Sequence, residues 1–331
     1  MRTYPYEMDD VEFLFPREVP LGGTRAMTVR RTLPHKEIRT VGAWCFLDDY
    51  GPTDYAEPDL PGQQPGMEVP PHPHTGLQTV TWLVRGEVLH HDSVGSAATI
   101  RPGQLNLMTA GHGIAHSEQS VMPGAGGRGG TVLHGVQVWV ALPDAVRHQD
   151  PHFEHHSDLP QARLDGADVT VVMGTLAGLR SPAATYSPIV AAQVRVEPGG
   201  RTRVALDEEF EHAVLTLEGS VRLAGGDPGT SLNGGPLAYL PPGRDRLDLA
   251  GGSAGALLLL LGGGPFTAPL LMWWNIVART HKEIVQARAD WEARGGRFGV
   301  VRGYPGPALS APALPTTPLK PRTSRPVVEA G

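Results

Sequence analysis

Two short patterns in the sequence hold residue types that bind metals: His72-x-His74 and His116-x-Glu118. In a β-strand, residues i and i+2 point to the same face, so each pattern presents two side chains together. Three imidazoles and one carboxylate form a nitrogen and oxygen site that suits Fe, Mn, Ni, Cu or Zn. A metal that prefers five or six ligands would keep open positions in such a site, and open positions permit reactions.

The segments around these pairs are typical of short β-strands joined by turns. Residues 79–84 are rich in β-branched types and are followed by a turn at Gly86, and a second turn covers 101–104. Several short strands at this spacing predict an antiparallel sandwich or barrel. Strands about 40 residues apart can be neighbours in a barrel, so we expect all four side chains to converge inside it.

The second half of the chain repeats this pattern weakly. The similar segments are 80–88 with 213–221, and 99–103 with 239–243. Such a repeat predicts two similar β-barrels. Alignment of Gly219 with Gly86 places Ala205 and Asp207 at the positions of the first histidine pair. We therefore expect the second barrel to lack metal ligands.

The composition narrows the class of protein. The chain has 331 residues, a formal net charge of −6 and one cysteine, Cys45. The length suits two domains of about 150 residues, and the lack of a long Lys/Arg block argues against direct nucleic-acid binding. Because one cysteine cannot form an internal disulfide, a reducing compartment is expected, and its apolar neighbours favour a buried, inert thiol.

The remaining segments complete the predicted organisation. The longest purely apolar run, 256–261, is too short to span a bilayer, and we expect a cytoplasmic protein without a membrane partner. A helix is predicted over 280–294, with Thr280 as its N-cap in a capping box. Residues 304–331 are rich in proline and poor in apolar clusters, which predicts a disordered tail.

The chain carries 14 histidines, and most of them are expected to have roles other than metal binding. His90 and His91 lie on one predicted strand, where at most one of them can face inward. His112 could line the pocket or support a ligand. His134 could hydrogen-bond to a ligand or satisfy a buried group elsewhere.

Four segments of the sequence resemble the pirin family of the cupin superfamily. They are 71–81, 109–118, 134–143 and 272–280, which begin PHPHTG, TAGHGI, HGVQVW and MWWNIV. The similarity covers roughly residues 20–295 and its motifs are specific. One departure is Gln78, where many pirins carry glutamate. Gln78 and Met108 are expected near the metal, although ordinary core packing would explain both equally well.

The resemblance implies an all-β bicupin, with two antiparallel β-barrel (jelly-roll) domains and a C-terminal helix. The N-terminal cupin domain, expected over 1–150, would bind metal, and the C-terminal cupin domain over 151–300, which includes the helix, would not. The metal of the family is typically Fe(II), with Mn, Ni, Cu or Zn as alternatives for this set of ligand types. The family's ligands match four residues of this chain, His72, His74, His116 and Glu118.

The resemblance leaves two main functions open. The first is a metal-dependent dioxygenase of the quercetin 2,3-dioxygenase type, an activity that some pirins show. Glu118 would then act as a catalytic general base on a flavonol-like substrate that reacts with O₂. The second is an iron-dependent, redox-sensing module that binds a protein partner, because eukaryotic pirin is an iron-dependent transcriptional coregulator. A cupin that acts on another small molecule is a third reading.

Overall fold

The structure is a computed structural model that describes residues 11–21, 27–55, 66–121, 130–223 and 231–325. The described residues are mostly in β-strands, with one α-helix near the C-terminus, so the predicted all-β class is confirmed. The strands are β1 (Glu12–Leu14), β2 (Arg17–Pro20), β3 (Thr28–Leu33), β4 (Trp44–Asp54), β5 (Glu68–His74), β6 (Leu77–Arg85), β7 (Val88–Asp92), β8 (Ala97–Ile100), β9 (Leu105–Thr109), β10 (Ile114–Ser120), β11 (Val132–Ala141), β12 (His152–His156), β13 (Gln161–Leu164), β14 (Ala167–Met173), β15 (Thr175–Leu176), β16 (Leu179–Arg180), β17 (Ile189–Val196), β18 (Arg201–Ala205), β19 (Glu211–Leu223), β20 (Ser231–Leu232), β21 (Leu237–Leu240), β22 (Arg246–Gly263), β23 (Leu271–Trp273) and β24 (Ile276–Ala278).

The chain packs into two compact units. Among the described residues, the first unit contains 17–40, 45–158 and 267–325, and the second unit contains 11–16, 41–44 and 159–266. The predicted domains, 1–150 and 151–300, divide the chain at one point, whereas each of the two observed units consists of three separate segments of the chain. The N-terminal strand shows why, because β1 pairs with β21 of the second unit.

The first unit is built from two antiparallel sheets. Their strand orders are β12-β9-β6-β11-β4-β3-β2 and β5-β10-β7-β8. Side chains from both sheets, such as Leu83 of β6 and Val88 of β7, belong to one buried apolar cluster. Alternate residues of a strand point to the same side of the sheet, and those that point between the two sheets form this cluster. The predicted jelly-roll is therefore observed as two packed sheets that do not close into a barrel.

The second unit has one nine-stranded antiparallel sheet. Its main path runs β1-β21-β19-β22-β17-β14-β13, with β18 paired to β22 and β20 paired to β19. The long strands β19 and β22 pair along most of their lengths, with two shifts in register. Val171, Val194 and Leu258, from β14, β17 and β22, belong to one buried core.

The predicted C-terminal helix is confirmed as α1, His281–Glu292. The side chain of Thr280 caps it by accepting a hydrogen bond from the amide of Glu283 at 3.3 Å. Ile284 and Trp291 are buried on one face and belong to an apolar cluster of the first unit that also contains Leu271 and Ala311. No helix among the described residues is both long and apolar enough to cross a membrane.

The proline-rich segment 304–325, for which the sequence predicts disorder, lies within the first unit and makes backbone hydrogen bonds there. Residues 326–331 lie outside the described residues. The amide of Leu309 donates to the carbonyl of Pro71 at 2.9 Å, and Trp291 Nε1 donates to the carbonyl of Leu309 at 2.8 Å. Because proline has no N–H, such a segment has fewer donors to satisfy, and Trp291 and Arg288 of the helix donate to its carbonyls at Leu309 and Pro312.

Candidate metal centre

The two predicted ligand pairs lie on neighbouring strands of the first unit. Strand β5 ends with His72 and His74, and β10 carries His116 and Glu118. The strands are antiparallel, and His116 lies directly opposite His72. Cross-strand neighbours on one face have Cβ atoms about 5 Å apart, so the pairing itself brings the two patterns together.

A bulge in β5 orients the first histidine. The register shifts between His116 and Glu118, so that Pro70 and Pro71 of β5 lie opposite one residue of β10. Proline cannot donate to a ladder of backbone hydrogen bonds, which favours a bulge at this point. The carbonyl of Pro70 accepts a hydrogen bond of 2.9 Å from Nδ1 of His72. The bulge therefore supplies the acceptor that fixes the His72 ring.

Three imidazoles form a compact, buried cluster. The ring centroids of His72, His74 and His116 are 4.4 to 4.9 Å apart, and the Nε2 atoms of His74 and His116 are 3.0 Å apart. The exposed fractions of the three residues are 6%, 1% and 1%. One nitrogen of each ring lies within 4.8 Å of the other two, which is a separation that a single ion can bridge.

Burial keeps these imidazoles neutral. Desolvation lowers the pKa of His72 to about 4. Desolvation also holds the pKa values of His74 and His116 well below the ordinary value, and the neighbouring imidazoles lower them further. Metal ions bind imidazole nitrogens that carry no proton, so neutral rings are suitable ligands at neutral pH.

Backbone carbonyls set the tautomers of two of the rings. Nδ1 of His72 donates to the carbonyl of Pro70, and Nδ1 of His74 donates to the carbonyl of Asn275 at 2.9 Å. A carbonyl can only accept a hydrogen bond, so Nδ1 carries the hydrogen in both rings and Nε2 keeps its lone pair. Asn275 lies in the turn between β23 and β24, so the C-terminal part of the first unit supplies the acceptor for His74.

The spacing of the nitrogens fits a divalent metal. Two adjacent nitrogen ligands of an octahedral ion are about 3.0 Å apart when the metal–nitrogen bonds are about 2.1 Å. The Nε2 atoms of His74 and His116 have this separation. Neutral rings, a lone pair at Nε2 and the observed distance together show that these residues could hold a metal ion.

Glu118 belongs to a second group that shares His116. One oxygen of Glu118 and one nitrogen each of His90 and His116 lie within 4.8 Å of one another. The hydroxyl of Thr81 donates to Oε1 of Glu118 at 3.2 Å, and burial raises the pKa of this carboxyl. The structure thus places the four predicted side chains in two overlapping groups.

His90 and Asp92 extend the site along β7. His90 is the inward-facing member of the pair His90-His91, with 2% of its surface exposed, and Asp92 is 1% exposed. Asp92 is not among the residues that the sequence patterns single out. The sequence signal that could have identified Asp92 is the period-two spacing of a strand, which places residues 88, 90 and 92 of β7 on one face.

An aromatic column supports His74. The ring of Trp139 packs edge-on against His74 with centroids 5.1 Å apart, and Phe46 stacks on Trp139 at 3.8 Å. The guanidinium of Arg31 lies over Phe46 at 4.4 Å and pairs with the buried Asp48 at 2.7 Å. This packing restricts the movement of the His74 ring.

His112 and His134 have surroundings different from the cluster. The side chain of His112 is 42% exposed, and its Nε2 is 3.5 Å from Oδ1 of Asp150. His134 is buried, with Nε2 3.9 Å from Oδ1 of Asp49. His112 therefore belongs to the surface, and His134 lies beside a carboxylate of β4.

Gln78, Met108 and Cys45 are buried in the first unit. Gln78 donates a hydrogen bond of 3.0 Å to the hydroxyl of Thr109, and Met108 is 1% exposed. Burial raises the pKa of the Cys45 thiol to about 12, so the thiol stays protonated and unreactive, as its apolar neighbours predict.

The second unit offers a contrast at the positions aligned with the first histidine pair. Ala205 is exposed at the end of β18, and Asp207 follows it in a turn. Among the described residues, both groups of three side chains that could bind a metal lie in the first unit. His212 is buried in the second unit, where desolvation lowers its pKa to about 4.

Two family models match the two halves of the chain. The model described as Pirin matches residues 24–140, and the model described as Pirin C-terminal cupin domain matches residues 165–299. Two consecutive cupin-type matches agree with the two β-rich units and confirm the predicted bicupin architecture.

Relatives match nearly the full chain. A protein of Pseudomonas aeruginosa named "Putative quercetin 2,3-dioxygenase" is 43% identical over 90% of this chain and 89% of its own length. A pirin-like protein of Caulobacter vibrioides is 38% identical over 80% of this chain and 88% of its own length. The crystal structure of a quercetin 2,3-dioxygenase from Acinetobacter baumannii matches with a TM-score of 0.84 and 37% identity, covering 94% of this chain and 97% of that one.

Proposed function

Because this chain belongs to the pirin family, we propose that it is a metal-dependent dioxygenase of the quercetin 2,3-dioxygenase type. The ligands of its metal, Fe(II) in this proposal, are His72, His74, His116 and Glu118. The observation that carries the proposal is the buried cluster of three neutral imidazoles, two of which keep an Nε2 lone pair for a metal. Relatives named as quercetin 2,3-dioxygenases support the reaction type.

The chain's own residues supply the ligands and move a proton. When bound, the metal supplies a Lewis acid for the oxygens of a flavonol and a redox centre for O₂. Glu118 takes the proton of the flavonol 3-hydroxyl, and burial makes its carboxyl a better proton acceptor than an exposed glutamate because it raises the pKa. The hydroxyl of Thr81 is shared between Oε1 of Glu118 at 3.2 Å and Oε1 of Gln137 at 3.0 Å, and we assign the proton to Oε2 of Glu118.

Burial of the site protects the deprotonated substrate. None of the four proposed ligands is more than 7% exposed. Exclusion of water strengthens electrostatic interactions in the site and keeps solvent from returning the proton. The overall reaction consumes O₂, opens the central ring of the flavonol and releases CO, with both oxygen atoms of O₂ retained in the products.

The direct test of this proposal is turnover of quercetin by protein loaded anaerobically with Fe(II) and then exposed to O₂. We expect the flavonol absorbance to disappear with equivalent release of CO. Metal analysis of protein purified without added metal identifies the ion that it binds. Fully loaded protein that leaves quercetin unchanged would reject the dioxygenase proposal.

Removal of one imidazole tests the ligand assignment. We expect His74→Ala to lose both metal and turnover, because the site loses a neutral ligand whose lone pair is already oriented. His112→Ala is the matched control, because His112 is 42% exposed and paired with Asp150. Metal content and quercetin turnover are measured for both variants. Full activity in metal-depleted His74→Ala would contradict the assignment.

A second candidate function is an iron-dependent, redox-sensing module that binds a protein partner. The observation that favours it is the low exposure of the ligands, none above 7%, because a buried ion can exchange an electron without binding a substrate. Hydrogen exchange of the Fe(II) and Fe(III) forms tests it. A change in protection at the surface without quercetin turnover supports the sensor, and identical exchange in the two forms counts against it.

A further inference from the structure

We propose that Asp92 and His90 are positioning residues that fix the tautomer of His116, so that Nε2 of His116 offers its lone pair to the metal. This inference rests on the proposed function, because it assumes that His116 is a metal ligand. His72 and His74 each have a backbone carbonyl that fixes the ring hydrogen. For His116 the same task is assigned to two side chains of the next strand.

The strand pairing places these side chains beside His116. Strand β7 pairs with β10 on the side opposite β5, with Asp92 across from His116 and His90 across from Glu118. Nδ1 of His90 is 3.3 Å from Nδ1 of His116, and Nε2 of His90 is 3.1 Å from Oδ2 of Asp92. Asp92, His90 and His116 therefore form a continuous chain of hydrogen-bonding contacts within the first unit.

Asp92 determines which atom donates and which accepts in the hydrogen bonds of this series. Its Oδ1 accepts hydrogen bonds from the amides of Val94 at 3.0 Å and Ser96 at 2.9 Å. Backbone N–H groups can only donate, and these bonds favour the ionised carboxylate. An ionised carboxylate accepts at both oxygens, so Nε2 of His90 carries a hydrogen and donates to Oδ2.

The position of the hydrogen on His90 then determines the position of the hydrogen on His116. A neutral imidazole that donates from one nitrogen accepts at the other. With His90 neutral, as the proposal takes it, Nδ1 of His90 is an acceptor and Nδ1 of His116 donates to it. Nε2 of His116 then keeps its lone pair, 3.0 Å from Nε2 of His74.

Packing holds His90 in the position that this role requires. The ring of Phe153 stacks on His90 with centroids 4.5 Å apart and an interplanar angle of 17°. The ring of His90 is also 5.2 Å from that of His116, centroid to centroid. The same closeness would allow His90 to bind a metal together with His116 and Glu118, so the experiment must separate positioning from ligation.

Asp92→Asn tests the proposal because it exchanges donor and acceptor in each hydrogen bond from residue 92 to His116. The amide oxygen can keep the bonds from Val94 and Ser96, which turns the NH₂ group toward Nε2 of His90. A donor replaces an acceptor there, so His90 donates from Nδ1 and the hydrogen of His116 moves to Nε2. We expect Zn(II) affinity, measured by calorimetric titration of the metal-free protein, to fall 10- to 100-fold. Asp150→Asn, beside the exposed His112, is the matched control and should bind Zn(II) like the wild type.

Nitrogen-15 NMR of histidine-labelled, metal-free protein reads the tautomers directly. We expect the Nδ1–H tautomer for His116 in the wild type and the Nε2–H tautomer in Asp92→Asn. The wild-type spectrum keeps the proposal testable even if Asp92→Asn fails to fold. A wild-type His116 that carries its hydrogen at Nε2 would overturn the proposal.

X-ray absorption of the Zn(II)-loaded protein separates the two roles of His90. If His90 positions His116, His90→Phe keeps the same number of imidazole ligands and binds Zn(II) more weakly. Loss of one imidazole in His90→Phe would show that His90 is a ligand and would overturn the positioning role. Failure of the proposed function gives a different result: the wild type would show the expected tautomer of His116 and bind no metal.

Discussion

At the scale of single residues, the positions of protons on the histidines decide what the site can bind. His72 and His74 donate to carbonyl groups, so both offer Nε2 to an ion. Burial lowers the pKa of both rings, which makes them poor bases toward protons while their lone pairs remain available. Burial acts in the opposite direction on Glu118, whose raised pKa favours either a bound proton or a nearby cation.

Glu118→Gln tests the proton-transfer role at this scale. The amide keeps the size of the side chain and can still accept from Thr81, but it cannot take a proton from the substrate. We expect kcat for quercetin to fall about 10²- to 10⁴-fold, the usual contribution of a general base. Metal content is measured on the same preparations, and kcat is compared at equal loading. An unchanged kcat would remove Glu118 from the proposed chemistry.

His212 predicts a pH effect on stability that is independent of the metal ligands. Desolvation lowers its pKa in the folded protein from 6.5 to about 4. The unfolded chain therefore binds the proton first as the pH falls, and the free energy of unfolding decreases between pH 6.5 and about pH 4. Between pH 7.5 and pH 5 we expect this residue to contribute a loss of roughly 2 kcal/mol.

Denaturant unfolding of His212→Gln and the wild type at the two pH values measures that contribution. The variant should lose less stability on acidification than the wild type. His112→Gln, at an exposed position, is the control and should follow the wild type. Parallel pH dependence of all three proteins would show that His212 does not carry the effect.

At the scale of secondary-structure elements, the hairpin β23–β24 completes a site whose ligands lie on β5 and β10. The amide of Val277 donates to the carbonyl of Thr75 at 3.2 Å, and the hydroxyl of Thr75 donates to the carbonyl of Val277 at 3.3 Å. These bonds hold the hairpin against the end of β5. Asn275, in the turn of the hairpin, thereby reaches Nδ1 of His74.

Gly76→Ala tests this docking. Gly76 has a φ of +68°, and a Cβ there would lie 2.5 Å from the carbonyl oxygen of Val277. Gly103, with a φ of +83° and open space around the Cβ position, is the matched control. We expect Gly103→Ala to lose about 1–2 kcal/mol of stability from backbone strain alone. Gly76→Ala should lose more and should also bind Zn(II) more weakly, because the hairpin must shift.

Denaturant unfolding and Zn(II) titration of both glycine variants give the comparison. Equal losses of stability, with unchanged Zn(II) affinity in Gly76→Ala, would mean that the hairpin does not help to orient His74.

At the scale of the whole chain, the C-terminal segment belongs to the unit that contains the metal cluster. Leu270 and Arg322 exchange two backbone hydrogen bonds of 2.8 Å, and the amide of Arg39 donates to the carbonyl of Ser324 at 2.8 Å. Ala311 is buried in the same apolar cluster as the helix α1. The segment is therefore part of the packed structure of the first unit and adds a partner for Pro71, beside the first ligand.

Truncation after residue 303 tests the contribution of this segment. We expect a lower Tm and a red shift of tryptophan fluorescence, because Trp291 loses the carbonyl of Leu309 and becomes exposed. In the full chain, the amides of Leu309 and Arg322 should be protected from hydrogen exchange. Exchange of these amides at the rate of an unfolded peptide, with an unchanged Tm on truncation, would show that the segment does not stabilise the unit.

The sequence by itself determined the features that depend on local spacing. Period-two spacing puts His72 with His74 and His116 with Glu118, and the capping box starts the helix at Thr280. The alternation and turn residues likewise determine the β class and the weak repeat. These features could be predicted because strand and helix geometry relates neighbours in the chain directly to a common face.

Only the tertiary structure decided which distant groups complete the site. The acceptor for His74 is the carbonyl of Asn275, 201 residues away, and the partner of His116 is His90 on another strand. The position of 304–325 likewise depends on partners such as Pro71 that composition does not reveal. The physical reason is that alternation fixes the face of a side chain but is compatible with many strand orders and registers, and the packing of the whole unit selects one of them.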